Sequence, residues 1–548
     1  MTRIPTPSGS DRRAHAHVVR LARSAGLTSA ATLTSRVLGL VREQVLAALF
    51  GAGTEMDAFI IAFRIPNLVR DLFAEGAMSA AFVPTFTRHL TVEGRDAAWR
   101  LGNNVLNALV LVTGAIAALA FVAAHPLVGL YAGHFAQTPG KLELTIRLTR
   151  VMLPFLTLVA LAAAVMGMLN SLHHFFVPAL SPAMFNIAII ACGLAVVPLM
   201  PVSGASRITA IAVAALAGGV AQVAIQWPSL RREGFRYRPV LDPRDPGLRH
   251  VLVLMGPGTI GLAATQVNIF VNTLLATTQG SGAVSWLTYS YRLVHLPLGL
   301  IGVSIGTAVL PAVSRHATVG DVGGVRDTVS RGLALMLMLT VPATVGLLAL
   351  APAIVRLLFE HGHFRPSDTA QTAALLRLYA VGLIGYSTVR IVSPTFYALR
   401  RSGVPVAVSL VSIGLNVLLS VSLVRVMGFR GLALAASIAA LANAAALVWV
   451  LRRELRGIGG VRLGASFVRI TGAALLMGAS LVAVEHGAAA VLPGGGVLPQ
   501  MLRLASGIGA GLVVLAAAAK LFRLREFDEA VAMLRQRLQP LAGTDVAP

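Results

Sequence analysis

Charged side chains are clustered in the stretch from Thr34 to Pro84, which otherwise has the composition of two membrane-spanning helices joined by a Gly51-Ala52-Gly53 turn. The charged residues of the two helices are Arg36, Arg42, Glu43, Asp57, Arg64, Arg70, Asp71 and Glu75. Each charge near the centre of a bilayer costs about 2.5–3.5 kcal/mol on insertion scales. Anchorage alone does not explain such a cost, so the pattern predicts a water-filled cavity that holds a charged ligand.

The arginines of this cluster predict that the ligand is an anion. The guanidinium groups of Arg36, Arg42 and Arg70 outnumber the carboxylates near them in the sequence. A planar guanidinium binds phosphate through two parallel hydrogen bonds. Ser35 shares a helix face with Arg42, and Arg36 shares one with Glu43, because each pair is seven residues apart. We therefore predict a phosphate-binding set on the first helix.

A second polar stripe follows in the next helix. Asp57, Arg64 and Asp71 recur every seven residues and drift by only about 20° per step on a straight helix, with Asn67 beside them. Two interpretations stay open for Arg64 and Asp71. They form an internal ion pair that locks helices together, or they belong to the binding site. Pro66 predicts a kink, so the helix face on which the residues after it lie is not determined by spacing.

A matching cationic group occurs far along the chain, in the segment 283–312. Arg292 and His295 are three residues apart and share a helix face. An imidazole can titrate between pH 5 and 8, although a neutral, hydrogen-bonded histidine is the alternative at this position. Trp286 and the neighbouring tyrosines fit packing or membrane-interface positions better than a stacking surface.

Other motifs do not support enzyme chemistry or a cofactor. The His173-His174 pair has no third metal ligand near it in the sequence. The glycine-rich runs 494–496 and 507–511 lack the Lys-Ser/Thr of a phosphate-binding loop. No nucleophile–base pair is evident, so we predict a protein that is not an enzyme and has no cofactor or metal.

The composition places these residues in a membrane protein. The chain has 548 residues, of which 56% are hydrophobic and 12% charged, whereas soluble domains average about 25% charged residues. Apolar runs of about 20 residues without strand-like alternation predict an all-α polytopic membrane protein. The single cysteine, Cys192, lies within an apolar run, so disulfides are not expected.

Fourteen apolar segments are long enough to cross a bilayer. They are residues 25–50, 57–86, 101–124, 142–170, 177–199, 207–229, 250–278, 283–312, 332–358, 370–398, 404–427, 431–451, 465–485 and 500–522. The largest hydrophilic break divides the first twelve into six plus six, as expected of transporter halves related by an internal repeat. The predicted domains are a cytoplasmic N-terminal tail (1–24), an N-terminal lobe (25–230), a basic cytoplasmic linker (231–249), a C-terminal lobe (250–455), two further spans (456–525) and a cytoplasmic C-terminal tail (526–548).

The net charge of +23 is explained by topology rather than by nucleic acid. With both termini in the cytoplasm, the cytoplasmic segments carry about 28 of the 45 Lys and Arg residues, as the positive-inside rule requires. We therefore predict no nucleic-acid partner. The first apolar segment lacks a clear cleavage site and is predicted to be a retained helix rather than a signal peptide.

Several motifs of the sequence together form a recognisable signature. They are Ser35-Arg36-Val37-Leu38-Gly39-Leu40-Val41-Arg42-Glu43, Gly51-Ala52-Gly53, Asp57-Ala58-Phe59, Arg64-Ile65-Pro66-Asn67-Leu68, Phe73-Ala74-Glu75-Gly76-Ala77, Ser285-Trp286, Arg292 with Pro297 and Gly299, and Leu358-Phe359 with Gly362 and Phe364. These motifs resemble those of the MurJ/MviN family of lipid II flippases, within the multidrug/oligosaccharidyl-lipid/polysaccharide exporter superfamily. The likeness covers essentially all fourteen spans and is most specific in the first two.

The resemblance implies a V-shaped pair of six-helix lobes around a cationic cavity, with the last two helices forming a groove for a polyprenyl tail. It implies flipping of lipid II, the lipid-linked peptidoglycan precursor, to the periplasmic leaflet of the bacterial inner membrane. Membrane lipids and the cell-wall synthesis machinery are the other candidate partners. The membrane potential is the expected energy source. The predicted substrate-binding residues are Ser35, Arg36, Arg42, Asp57, Asn67, Arg70, Glu75, Arg292 and His295.

The sequence departs from the family pattern beside Arg292. Acidic residues often accompany that arginine in the family, whereas Tyr291 and His295 stand in those places here. A mechanism in which a neighbouring carboxylate binds Arg292 when substrate is absent therefore cannot be carried over to this chain directly. Some members bind sodium in the second lobe. Asn268 and Asn272 could be remnants of such a site, but we assign none.

Rival functions differ in the site that they require. A flippase for another polyprenyl-diphosphate glycan would use the same arginines. A cation-coupled multidrug antiporter of the same fold should have a cavity dominated by carboxylates. An enzyme acting on lipid diphosphates would need paired acid and base groups or a metal-binding carboxylate cluster. A membrane scaffold would not explain the arginines within the spans.

Overall fold

The computed structural model describes residues 9–70, 78–200, 204–492, 494 and 496–538, and every regular element in them is helical. The helices up to the basic linker are α1 (Gly9–Phe50), α2 (Thr54–Arg70), α3 (Met78–Arg88), α4 (Arg95–Val122), α5 (Ala124–Ala132), α6 (Lys141–Met152), α7 (Phe155–Ser171), α8 (Phe176–Ala191) and α9 (Gly204–Arg232). Those after it are α10 (Pro246–Thr277), α11 (Ala283–Pro297), α12 (Val303–Thr318), α13 (Val322–Phe359), α14 (Pro366–Ala398), α15 (Gly403–Met427), α16 (Phe429–Glu454), α17 (Gly460–Val491), α18 (Val497–Leu521) and α19 (Arg525–Leu538).

The helices confirm a multipass membrane protein. In the described part of the chain, ten helical segments are long and apolar enough to cross a bilayer, and each of the fourteen predicted spans overlaps described helix. The predicted span 142–170 is divided at Leu153 and Pro154 into α6 and α7, and the predicted span 283–312 is divided into α11 and α12. The predicted span 57–86 contains α2 and α3, with residues 71–77 outside the described part. The second division follows Pro297, where a wider turn at Leu298–Gly302 interrupts the α-helix.

Glycines allow the turn between the first two helices and the close packing of later ones. Gly51 has a φ of 64° and ends α1, which confirms the predicted Gly51-Ala52-Gly53 turn. Between α14 and α16, a Cβ on Gly385 would lie 2.6 Å from the backbone of Ala440. Small residues at such crossings let membrane helices approach closely, which is how packing stabilises a bundle in lipid.

The chain forms two compact units, residues 1–267 and 268–548, and the boundary falls inside α10. The core of the first unit includes Phe82, Phe86, Trp99 and Met168, which come from α3, α4 and α7. In the second unit, α12, α13, α14 and α16 share one core. The last two long helices, α17 and α18, pack with α13 around a second core that includes Met477.

Three asparagines of α4 hold the basic linker in place within the first unit. The side chain of Asn103 accepts a hydrogen bond from the Arg238 N–H (2.7 Å), and that of Asn104 bonds both the N–H (2.9 Å) and the carbonyl (3.0 Å) of Asp242. Asn107 donates to the Arg238 carbonyl (2.9 Å). Because these amides satisfy backbone groups of an extended segment, the linker lies along α4 as a defined strap.

The predicted domain boundaries differ from the helix ends at several places. The predicted N-terminal tail, 1–24, contains the beginning of α1, and the predicted C-terminal tail, 526–548, contains most of α19. The predicted linker, 231–249, overlaps the end of α9 and the beginning of α10. The lobe boundaries and the lipid-tail groove remain predictions.

Candidate functional site

Arg42 is buried between α1 and α8, with a relative exposure of 8%. Its Nε donates to Oε1 of Glu43 at 3.2 Å, a second guanidinium nitrogen bonds the same oxygen, and a third donates to Oδ1 of Asn186 at 3.1 Å. The guanidinium carbon also lies 5.2 Å from the ring centroid of Phe185. Burial of a guanidinium is tolerable here because both a carboxylate and an amide oxygen compensate for the lost water.

Arg42 has a carboxylate partner in the structure. It pairs with its neighbour Glu43, which is 3% exposed, so the expectation that the arginines of this cluster outnumber their carboxylates does not hold for Arg42. The sequence had instead placed Arg36 and Glu43 on one face. The Arg42–Glu43 pair is locally neutral, so the net positive charge of this part of α1 comes from Arg36.

Asn186 joins the two predicted positions of α1. Its Nδ2 donates to the Ser35 carbonyl at 3.1 Å, while its Oδ1 accepts from Arg42. Asn186 thus contacts the Ser35 backbone and the Arg42 side chain, and the shared face of the Ser35 and Arg42 side chains stays a prediction. Arg36 is exposed and has no hydrogen-bond or ion-pair partner among the described residues. Asn186 was missed by sequence reasoning because it lies 144 residues from Arg42 within an apolar segment.

Asp57 forms a buried ion pair with Lys141. The Lys141 Nζ lies 2.8 Å from the Asp57 Oδ2, and the two side chains are 1% and 0% exposed. The ammonium also lies 4.1 Å from the ring centroid of Phe135. Sequence reasoning placed Asp57 on a stripe with Arg64 and missed Lys141, 84 residues away. The closed pair between α2 and α6 favours a structural role for Asp57 over direct contact with a ligand.

Of the remaining predicted positions in the first unit, the structure describes the side chains of Arg64 and Asn67 but not those of Arg70, Asp71 and Glu75. Burial raises the pKa of the Tyr131 hydroxyl, and the Arg64 guanidinium, which is near it, opposes that shift. Oδ1 of Asn67 is buried and has no hydrogen-bond partner among the described residues. Arg70 ends α2, but its side chain lies outside the described part. Asp71 and Glu75 fall in residues 71–77, also outside the described residues, so the proposed Arg64–Asp71 pair stays a prediction.

In the second unit, α11 carries the predicted Arg292 and His295. Arg292 is exposed. The His295 Nδ1 lies 2.8 Å from the Tyr291 carbonyl, and the rings of these two residues are 4.0 Å apart. Tyr379 of α14 packs on Tyr291 at 5.7 Å. The residues that replace the family's acidic positions therefore form an aromatic cluster with a hydrogen-bonded histidine.

Comparison with known proteins shows the family to which the chain belongs. The family model described as "Lipid II flippase MurJ" matches residues 46–494, which is most of the chain. The chain belongs to the MurJ family. A probable lipid II flippase MurJ of Rhizobium meliloti is 36% identical over 430 residues, covering 76% of this chain and 79% of that protein. One of Vibrio cholerae is 35% identical over 440 residues, covering 78% and 82%.

Solved structures agree with the MurJ assignment. A lipid II flippase MurJ in an inward closed conformation is 25% identical, covers 90% of this chain and 99% of its own, and superposes with a TM-score of 0.73. An inward-facing multidrug resistance transporter of the MATE family, in the MOP superfamily, is 14% identical and superposes with a TM-score of 0.65 over 79% of this chain. The second likeness shows the shared exporter fold.

The sodium site that some members of the family have is not matched by the described side chains of α10 and α15. In the second unit, Oδ1 of Asn268 accepts from Nδ2 of Asn416 at 2.6 Å, and Oδ1 of Asn272 accepts from Oγ of Ser420 at 2.9 Å. Oδ1 of Asn416 is buried without a hydrogen-bond partner among the described residues, but the four residues include no carboxylate. Because hard cations are held by several oxygens, usually with carboxylates among them, the α10–α15 network does not fit a sodium ion.

Proposed function

We propose that this protein translocates lipid II from the cytoplasmic to the periplasmic leaflet of the bacterial inner membrane by alternating access. The observation that carries the proposal is the MurJ family match over residues 46–494, together with relatives of 35% and 36% identity that bear the same name. Members of this family are lipid transporters, so the protein is a transporter rather than an enzyme.

The diphosphate of lipid II is the chemical group that suits the arginines. In our proposal, Arg36 and Arg42 bind the diphosphate and sugar head, and Arg70 and Arg292 are further binding residues, as the family resemblance implies. Two of these side chains, Arg36 and Arg292, are exposed. Guanidinium groups bind phosphate oxygens through charge-assisted hydrogen bonds, which are roughly twice as strong as neutral ones.

Arg42 is held differently from Arg36 and would act differently. Its hydrogen bonds to Glu43 and Asn186 fix the guanidinium in one position, so binding does not require the side chain to be ordered first. An incoming diphosphate would replace the Glu43 oxygen as the anionic partner. Arg36, which is exposed, would supply the net charge that attracts the anion.

Orientation and energy supply are further parts of the proposal. The distribution of Lys and Arg supports cytoplasmic termini and a cytoplasmic linker. Moving one elementary charge through the membrane potential changes its free energy by about 2.3 kcal/mol per 100 mV. The potential would therefore return an empty, arginine-bearing carrier to the cytoplasmic-facing state.

The function is tested by complementation. Expression of the wild-type chain should restore growth to a bacterial strain depleted of its own lipid II flippase, because the chain would supply the missing translocation. Failure to restore growth, when the protein is present in the membrane at normal levels, would contradict the proposal.

Transport should not depend on sodium. The hydrogen-bonded amide and hydroxyl groups of Asn268, Asn272, Asn416 and Ser420 include no carboxylate, so no coupling ion is expected there. Replacing sodium by potassium or choline in a proteoliposome assay should leave the rate of lipid II translocation unchanged at constant membrane potential. A rate that rises with sodium concentration and saturates would show that this interpretation is wrong.

A further inference from the structure

A groove on the first unit is separate from all the residues discussed above. It has a volume of about 460 Å³ and lies between α4 and α6. It is lined by Phe121 of α4 and by Glu143, Ile146, Arg147, Arg150 and Val151. Its size is within the usual range for small-molecule sites, roughly 300–1,000 Å³.

The groove has a net positive charge. Arg147 lies four residues after Glu143 and three residues before Arg150, so the three side chains share one face of α6. All three are exposed, and neither guanidinium forms an ion pair or hydrogen bond with any residue in the described part of the chain. Two cations and one carboxylate leave one positive charge without a counterion.

Aromatic and aliphatic side chains complete the groove. The guanidinium carbon of Arg150 lies 5.4 Å from the ring centroid of Phe121, within the distance of a cation–π contact. Ile146 is 8% exposed and Val151 is partly buried, so they form an apolar wall. Beyond the groove, α4 exposes Leu111, Leu119 and other large apolar side chains. A ligand in this groove would contact the two guanidinium groups and, next to them, the exposed apolar surface of α4.

The groove lies close to the boundary between the hydrocarbon and the headgroups of a bilayer. The span Lys141–Ser171 has 31 residues, about 46 Å of helix at 1.5 Å per residue, whereas the hydrocarbon core is about 30 Å thick. With the excess shared by both ends, about the first five residues of α6 lie outside the hydrocarbon, Arg147 lies at its boundary and Arg150 about one turn inside, from where a long side chain can extend back to the headgroups. Phe121 lies 14 residues beyond Asn107 on α4, about 21 Å from the linker strap, so the groove is at the opposite end of the unit.

We propose that this groove binds the phosphate of an anionic phospholipid, such as phosphatidylglycerol, whose acyl chains lie on the exposed apolar face of α4. Arg147 and Arg150 bind the phosphodiester, and the single negative charge of the lipid balances the single excess positive charge of the groove. Extension of a long side chain towards water explains one arginine near a helix end. It does not explain why Arg150 lies one turn from Arg147 and against the ring of Phe121.

The test is lipid titration of the full-length protein, purified in detergent and followed by native mass spectrometry. Phosphatidylglycerol should bind more tightly than phosphatidylethanolamine, phosphatidylcholine or inorganic phosphate. The double variant Arg147→Gln/Arg150→Gln should lose about tenfold or more in affinity for phosphatidylglycerol, because two charge-assisted hydrogen bonds are removed. The double lysine variant should retain binding, and Glu143→Gln should not weaken it.

A matched control is Arg425→Gln. Arg425 is also an exposed arginine, in the last turn of α15, and its removal should leave phosphatidylglycerol binding unchanged. Equal affinity in the wild type and the double glutamine variant would overturn the proposal. So would equal binding of phosphatidylcholine, or binding of inorganic phosphate as tight as that of the lipid.

A second measurement does not depend on how the variants fold. Phosphatidylglycerol with a photoreactive headgroup should crosslink to the wild-type protein within residues 121–151, as mapped by peptide mass spectrometry. Crosslinks confined to other segments would contradict the proposal. Both readouts report lipid binding alone, so their outcome is independent of whether the chain translocates lipid II.

Discussion

Replacing Arg42 by alanine should abolish complementation of a flippase-depleted strain. The substitution removes a guanidinium that is fixed by Glu43 and Asn186, and it leaves the Glu43 carboxylate buried without its cation. Breaking a buried ion pair by removing one partner typically costs about 3–5 kcal/mol. Growth and the amount of protein in the membrane should be measured together, since the variant loses both a binding group and stability.

Two further variants separate binding from stability. Arg42→Ala/Glu43→Ala removes both charges, so it should recover much of the stability but still fail to support growth. Arg36→Ala should also fail, with an unchanged unfolding midpoint in detergent, because Arg36 is exposed and has no partner among the described residues. Arg425→Ala is the control and should grow normally. Growth of the Arg42→Ala/Glu43→Ala strain would show that Arg42 serves only to neutralise Glu43.

Replacing Lys141 by methionine should destabilise the protein by about 3–5 kcal/mol, because it removes the cation of a fully buried ion pair and leaves the Asp57 carboxylate without it. Asp57→Asn should also be destabilising, since the buried Lys141 ammonium then loses its carboxylate. Thermal unfolding in detergent measures both effects. Arg147→Met, which removes an exposed cation from the same helix, is the matched control and should change stability little.

The double variant Lys141→Met/Asp57→Leu tests the role of this pair. Replacing a buried ion pair by apolar residues of similar volume is often neutral or stabilising, so most of the lost stability should return. Growth should return with it if Asp57 acts through α6 rather than on the ligand. A stable double variant that still fails to support growth would assign Asp57 to the substrate, as the family resemblance implied.

The membrane class and the helices follow closely from the sequence. Ten of the fourteen spans predicted from apolar length coincide with helical segments long and apolar enough to cross a bilayer, and the turn at Gly51 follows from glycine chemistry. The interruption after Pro297 was not predicted, although a proline is its local signal. Hydropathy does not distinguish one long helix from two shorter ones in series, because both are apolar throughout.

Side-chain partners were much harder to predict than helices. Asn186 and Lys141, which hold charged residues, lie 144 and 84 residues from their partners. No periodic pattern relates residues on different helices. The Arg42–Glu43 pair was missed for another reason. Adjacent residues point to different faces of a helix, yet these long side chains reach each other.

The most direct test of the account is the leaflet distribution of lipid II when this protein is depleted. An enzyme that cannot cross the membrane and cleaves the lipid II diphosphate would be added from the periplasmic side. The account predicts that lipid II accumulates and becomes protected from cleavage, and that wild-type protein, but not Arg36→Ala, restores cleavage. Lipid II that remains fully cleavable during depletion, with no other flippase present, would contradict the account.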